Sequence, residues 1–423
     1  MIVPSIDVMG GRAVQLRRGR EHVLDGGDPL ARLDEFAVAG EVAVVDLDAA
    51  LGRGSNAAVI RQLVRRAPCR VGGGIRDVTA ARAWLDAGAT KVVIGTALSP
   101  ELCGALPRDR IVAAVDAEGG EVVVDGWRRR TGANVLERIH ELRPLVGGFL
   151  FTQVEREGEM QGYDPAAVTA AVRAAGDARV TAAGGITTAA EIRELDGIGA
   201  DAQVGMALYT GWLSLGDAVA APLARPLDGA VWPTVVCDEA GRTLGLVWST
   251  RESLARAVTE RRGIYWSRSR RALWVKGETS GNTQQLLRVD LDCDRDALRF
   301  TVRQHGVGFC HLERRSCWPA PFSLDDLERT IAERAARGEP ESGTVKLLAD
   351  PILLAAKLRE EAGELAEAGT RDQTVEEAAD VLYMTLVALA RSGGSLADVQ
   401  AVLARRHGSV TRRPMAAKAG AVS

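Results

Sequence analysis

The chain has 423 residues, of which 46% are hydrophobic and 26% charged, and its formal net charge is -3. That composition is typical of globular domains. It offers no broad basic face for nucleic acid and no run of about 18 apolar residues to span a bilayer. Six cysteines are too sparse for a disulfide framework, so a reducing cytoplasm is the expected compartment.

The N-terminus, "MIVPSIDVMGG", lacks a basic region followed by an apolar core, and reads as a first strand rather than a signal peptide. Length suggests roughly three domains. Two Pro-containing breaks, "ARPLDGAVWP" (224–233) and "CWPAPFS" (317–323), divide the chain into 1–225, 230–319 and 322–408. The tail from Ser409 is small and basic, and is expected to fray.

The first 225 residues alternate β-branched runs with Ala/Leu/Arg helices: "VAVVDLD", "KVVIGTAL", "IVAAVDAE", "GGFLFTQ", "ARVTAAGG" and "DAQVGMAL". This is a parallel α/β pattern, and it repeats. "GGI" at 73–75 recurs at 184–186, "IGTAL" at 94–98 recurs as "VGMAL" at 204–208, and Asp7 is echoed by Asp116, at offsets of 111, 110 and 109 residues. Four β/α units present twice close most naturally into a (β/α)8 TIM barrel. Glycines after strands expose N–H groups to anions. One such nest holds Gly72, Gly73, Gly74, Arg76, Gly95 and Thr96, and the other holds Gly184, Gly185 and Gly205. The repeat predicts a ligand with a phosphate at each end, with Asp7 and Asp116 facing each other between them as an acid/base pair. The plainer alternative is that the glycines only relieve crowding. Two nests in register with paired aspartates favour the ligand.

The stretches "PSIDVMGGRAVQLRRG", "VVDLDAALGRGSN", "VGGGIR", "DGWRRRTG" and "AAGGIT" resemble the ProFAR isomerase of histidine biosynthesis over the whole first domain. The resemblance implies an Amadori rearrangement on a bis-phosphate substrate. It implies the base at Asp7 and the donor at Asp116, with Thr152 nearby. The family aspartate after strand six is Glu157 here, one methylene longer, so the donor stays open between Asp116 and Glu157. The related cyclase begins with a Cys-Leu-Asp-Val pattern that this chain lacks. Isomerisation of phosphoribosylanthranilate, known in some relatives, is not excluded.

In the second domain, "RVDLDCDRDALRF" (288–300) places Asp292, Asp294 and Asp296 at every second position. Read as a strand, it puts three carboxylates on one face and Cys293 on the other. The oxygen face suits Mg²⁺. Cys293, Cys310 and Cys317 fall within 25 residues, and three thiolates suit Zn²⁺ with an open position for water. A zinc-activated hydroxide then predicts hydrolysis at an electrophilic carbon. Upstream, Arg268, Arg270, Lys276 and a turn of Ser280, Gly281 and Asn282 with free donors are expected to hold a nucleotide monophosphate, with Trp266 or Trp274 stacking. These motifs resemble phosphoribosyl-AMP cyclohydrolase over most of 231–318. The resemblance implies a homodimer in which zinc takes Cys293 from one chain and Cys310 and Cys317 from the other. It implies attack at C6 of the adenine ring. His311 is a candidate proton shuttle or simply a polar residue near the metal.

Residues 323–406 read as helices. Glu361 and Glu364, and then Glu377 and Asp380, are each three apart and share helical faces. Four converging carboxylates require a cation, for which Mg²⁺ with a phosphate chain is the natural guest; solvated surface is the plain alternative. The pattern resembles phosphoribosyl-ATP pyrophosphohydrolase, departing from it at "SGTVKLL" and at Met384, where a His often stands. This domain also offers a second dimer contact. Together the resemblances imply a trifunctional enzyme acting on small phosphoribosyl nucleotides. A bifunctional chain with an inactive or scaffolding barrel is the rival reading.

Overall fold

The computed structural model describes residues 1–224, 231–319 and 321–411. The expected boundary at 225–230 lies outside them. By chain contacts the molecule divides into two compact units, Met1–Trp318 with Gly408–Ser423, and Pro319–His407.

The first unit begins with a closed parallel barrel. Its eight strands are β1 (Ile2–Met9), β4 (Val42–Asp46), β5 (Cys69–Gly72), β6 (Lys91–Ile94), β7 (Ile111–Glu118), β10 (Gly148–Gln153), β11 (Arg179–Ala183) and β12 (Ala200–Val204). Each pairs with the next, β7 with β10, and β12 returns to β1 at Ile2↔Ala202. Two antiparallel hairpins rise from the C-terminal rim. One is β2 (Arg12–Arg17) with β3 (Glu21–Gly27), and the other is β8 (Glu121–Val124) with β9 (Arg129–Asn134). The internal repeat is visible in the packing. A Cβ on Gly73 would lie 2.3 Å from the Asp46 carbonyl oxygen, and one on Gly184 would lie 2.5 Å from that of Gln153.

A second sheet follows, in the order β14 (Thr243–Ser249), β13 (Trp232–Cys237), β18 (Leu298–Gln304), β17 (Gln284–Leu291). Beside it lies the hairpin of β15 (Ile264–Ser267) and β16 (Ala272–Val275). This sheet shares one continuous apolar core with the barrel. The helix Leu215–Ala220 meets the helix Arg251–Glu260 so closely that a Cβ on Gly216 would lie 2.6 Å from Ala255 Cα. The Trp232 indole donates to the Ala224 carbonyl at 2.9 Å. Of the small, basic tail, Ser409 to Thr411 are tied to the barrel, and residues 412–423 lie outside the described residues. The Ser409 hydroxyl and the N–H groups of Val410 and Thr411 all donate to Asp86 Oδ1 at 2.7–3.1 Å.

The second unit is helical, as the carboxylate spacing predicts: Leu324–Arg337, Gly343–Ala349, Pro351–Glu367, Arg371–Ser392 and a last helix from Leu396. Its small core is Ile331, Leu347, Leu354, Met384, Leu386, Val387 and Leu396. Met384, a departure in the sequence motif, is therefore a core side chain.

Candidate active sites

At the barrel mouth, β1 delivers Asp7, β7 delivers Asp116, and the turn after β10 delivers Glu157. Thr152 stands opposite Asp116 in register. Burial pushes the Asp7 carboxyl up to about 7. Burial also raises Asp116, while hydrogen bonds from Trp127 and Thr152 oppose the rise by favouring its anion. Glu157 is pushed up to about 8, by burial first and then by the charges of Asp7 and Asp116. The three carboxylates thus form one electrostatic group, with unequal affinities for a proton.

Both hairpins brace this group. Arg18 N–H donates to the Glu157 carbonyl at 3.0 Å, and Arg18 pairs with Glu159 at 2.9 Å. Trp127 packs where a Cβ on Gly19 would come within 2.7 Å of its ring, and its carbonyl accepts from Arg20 at 2.9 Å. Beneath the hairpins, Asn56 donates to Asp46 at 2.7 Å and to Asp48 at 2.9 Å, and accepts from Gly11 N–H at 2.8 Å, which fixes the loop after Asp7.

The two glycine nests lie at the ends of this mouth. Gly73, Gly74, Gly184 and Gly185 all have positive φ and touch backbone where a Cβ would sit, so crowding alone demands glycine there. Gly95 differs: a Cβ there would meet only the Ala114 methyl, at 4.0 Å, and sterics leave it free for a ligand. A small pocket joins Glu157 to Gly184, Gly185, Gln203, Gly205 and Met206. Gln203 Oε1 is buried there with no hydrogen-bond partner among the described residues. Arg76 and Thr96 are exposed at the opposite rim.

In the second sheet, the acidic segment is not a strand. β17 ends at Leu291, and Asp292 to Asp296 form the turn into β18. The Asp292 carboxylate accepts from Asp296 N–H at 3.0 Å and Ala297 N–H at 3.1 Å. This side-chain-to-backbone bonding overrides the period-two pattern. The carboxylates of Asp292, Asp294 and Asp296 nevertheless come within 4.8 Å of one another. Cys293 is exposed in the same turn, whereas Cys310 and Cys317 lie together elsewhere. Burial and then the neighbouring Cys310 raise the Cys317 thiol. Buried Lys276 sits beside both thiols, its ammonium disfavoured by burial. The opposite-face arrangement predicted for one strand is thus replaced by two separate thiol positions.

The turn predicted to offer free donors also differs. Gly281 N–H is spent on the Gly277 carbonyl at 2.9 Å, and Asn282 Oδ1 accepts from Val307 N–H at 2.9 Å. The Ser280 hydroxyl is exposed at the tip and accepts from Asn282 N–H at 3.4 Å. Arg268 stacks on Trp248 at 4.1 Å, and Arg270 and Lys276 lie 5.9 and 6.0 Å from the Trp274 ring centre. His311 is exposed beside Cys310.

In the helical unit, Glu361, Glu377 and Asp380 place carboxylate oxygens within 4.8 Å of one another. Glu364 completes the group through a hydrogen bond with Glu377. Glu377 is raised by burial first and then by Glu364. Lys357 approaches from one side, 3.9 Å from Glu361.

The sequence profile described as "Histidine biosynthesis protein" matches residues 1–214. The chain belongs to that family. Two further profiles follow in order on this histidine biosynthesis chain: phosphoribosyl-AMP cyclohydrolase at 245–319 and phosphoribosyl-ATP pyrophosphohydrolase at 324–407. Among similar proteins is a histidine biosynthesis trifunctional protein of Saccharomyces bayanus, 48% identical over 195 residues, which are 46% of this chain and 24% of the yeast protein. A histidine biosynthesis bifunctional protein of Schizosaccharomyces pombe is 41% identical over 206 residues, 49% of each chain. An imidazole-4-carboxamide isomerase of Methanosphaerula palustris is 36% identical over 233 residues, 52% of this chain and 98% of that one. The chain spans about a quarter of the length of the first of these relatives.

Sequence reading passed over Trp127 and Gln203. Trp127 lies in "DGWRRRTG", where Asp125, Gly126 and Trp127 all have positive φ. An aromatic side chain set among turn and arginine residues, in a chain only 4% aromatic, is the signal that marks it.

Proposed function

We propose that the chain catalyses three successive steps of histidine biosynthesis: pyrophosphate hydrolysis of phosphoribosyl-ATP, opening of the adenine ring of phosphoribosyl-AMP, and isomerisation of the resulting ProFAR. The observation that carries this reading is the order of the three family matches along the chain. We place the enzyme in the cytoplasm as a homodimer, acting on phosphoribosyl nucleotides with Zn²⁺ and Mg²⁺.

In the barrel, Glu157 carries the proton. With a pKa of about 8 it stays protonated at neutral pH, held there by burial and then by the neighbouring Asp7 and Asp116. Glu157 protonates the ribose ring oxygen, the C1–O bond breaks, and the nitrogen lone pair forms the C=N bond. Asp7, near 7, removes the C2 proton. The enaminol then takes a proton at C1 and gives up the proton of its C2 hydroxyl, whose electron pair closes the C2=O bond of the aminoketose. The two nests hold the terminal phosphates, with Arg76 and Thr96 at one end and Gly205 at the other.

In the second sheet, adjacent Cys310 and Cys317 form two soft ligands that fit zinc, and exposed Cys293 is available to a second copy of the chain. When bound, zinc supplies a water acidic enough to attack carbon at neutral pH. Arg268, Arg270, Lys276 and Ser280 hold the phosphate, and His311 moves the proton. The carboxylates of Asp292, Asp294 and Asp296 fit Mg²⁺, as do Glu361, Glu364, Glu377 and Asp380 in the helical unit. There the carboxylates position the cation that screens the triphosphate.

The test supplies phosphoribosyl-ATP to purified protein with both metals and follows products in time. The aminoketose is the expected end product. Lasting accumulation of phosphoribosyl-AMP or of ProFAR would reduce the claim to the steps before it.

A further inference from the structure

The acidic turn carries an arginine in a conformation that suits glycine. Arg295 has φ +66, a left-handed geometry that a side chain disfavours. Its guanidinium leaves the turn and grips the barrel. Nε lies 3.2 Å from Asp196 Oδ2 and Nη2 lies 3.0 Å from Oδ1. Nη1 turns back to the Asp292 carbonyl at 3.0 Å, and the Arg295 carbonyl accepts from Ala224 N–H at 2.8 Å. Asp196 closes the barrel helix Ala189–Gly197. The pair is 22% and 14% exposed, so this bidentate contact is weakly screened. The three carboxylates flanking Arg295 repel one another at under 4.8 Å, and an unanchored turn would relax by spreading them.

We propose that Asp196 and Arg295 are positioning residues through which the barrel holds the acidic turn, Cys293 included, in the shape that binds a divalent cation. The turn's cation affinity then depends on a different domain of the same chain. This rests on reading the aspartate turn as a divalent-cation site.

The probe is Mn²⁺, titrated by electron paramagnetic resonance into the zinc-loaded full chain. Every sample carries Glu361→Gln and Glu377→Gln, so that the helical carboxylates do not compete. Asp196→Asn and, separately, Arg295→Gln are expected to weaken Mn²⁺ binding about tenfold. Isomerase turnover should stay unchanged, since Asp196 lies at the end of the barrel opposite Asp7. The double variant Asp196→Asn/Arg295→Gly should recover to within about threefold of the parent, because glycine adopts this φ unaided. Equal Mn²⁺ affinity in parent and Asp196→Asn, or no recovery in the double variant, would overturn the clamp while leaving the cation site standing. A parent that takes up no Mn²⁺ would overturn the cation reading itself, and the clamp with it.

Discussion

Replacing Glu157 with Gln should make the barrel more stable at neutral and alkaline pH while abolishing isomerisation. The Glu157 carboxyl has an ordinary value of 4.5 and is held at about 8 in the folded protein. The native state therefore binds more protons than the unfolded chain between those values. Stability from this group is fully present below pH 4.5 and is lost as pH rises through 8. At pH 7 the unfolded carboxyl gains the ionisation energy of about 2.5 pH units, about 3 kcal/mol at roughly 1.36 kcal/mol per unit, while the native one gains almost nothing. Because Asp7 and Asp116 share in the shift, we expect about 2 kcal/mol of this to be recovered in the Glu157→Gln variant, whose neutral amide has the shape of the carboxyl it replaces. Hydrogen exchange of amides in β7 and β10, followed from about pH 5 to pH 8 after correction for intrinsic rates, reads barrel stability apart from the helical unit. The parent should lose protection as pH rises, and Glu157→Gln should lose much less. Identical slopes in the two proteins would refute the three-carboxylate electrostatics. Isomerase activity should fall about 10²- to 10⁴-fold in the same variant, the usual contribution of a general acid.

Trp127→Phe removes the indole donor to Asp116, which should raise the Asp116 carboxyl and move the acidic limb of the isomerase pH profile upward; an unmoved limb counts against the hydrogen bond. Cys310→Ser should strip zinc, measured by elemental analysis, and abolish cyclohydrolase activity while isomerase turnover persists on ProFAR; retained stoichiometric zinc sinks the thiol assignment. Glu377→Gln relieves repulsion from Glu364, so pyrophosphohydrolase activity should vanish without loss of thermal stability in metal-free buffer. Residual full activity with Mg²⁺ would remove that carboxylate from the site.

The barrel was legible because β-branched runs and helical runs alternate, and because the half-domain repeats at a nearly constant offset. The helical carboxylates were legible for a similar reason, since spacing of three on two helices needs only one close packing to converge. The acidic turn was misread because aspartates at every second position imitate a strand. The same residues also cap their own backbone, and at Asp292 the capping bonds won. Trp127 escaped notice because an inserted hairpin carries no hydrophobic period. The seam between Gly216 and Ala255 is purely tertiary, and no local pattern announces it. The thiols illustrate a partial success. Cys310 and Cys317 do meet, while Cys293, clustered with them in sequence, lies in a separate exposed turn of the same chain.

The place where the second sheet docks follows from barrel chemistry. Asp201, Arg179 and Met1 lie at the N-terminal ends of barrel strands, with Asp196 beside them at the end of the helix that leads into β12, and Asp201 pairs with Arg179 at 2.7 Å and the N-terminal ammonium at 2.9 Å. Arg295 enters this network through Asp196 at 3.0 Å. Burial opposes ionisation of Asp196, but the Arg295 hydrogen bond and the ammonium outweigh it and hold the carboxyl below its usual range. The reactive carboxylates Asp7, Asp116 and Glu157 lie at the other ends of the strands. A six-residue strand such as β10 separates the two faces by roughly 20 Å at about 3.3 Å per residue. Barrel mouths hold function and barrel bottoms hold stability, so a fused domain seated on the bottom adds apolar burial without covering the mouth. On the trifunctional reading, an intermediate made beside the acidic turn would reach Glu157 by travelling around the barrel. Fusion would then act by raising the local concentration of the next site rather than by handing substrate through a shared cavity.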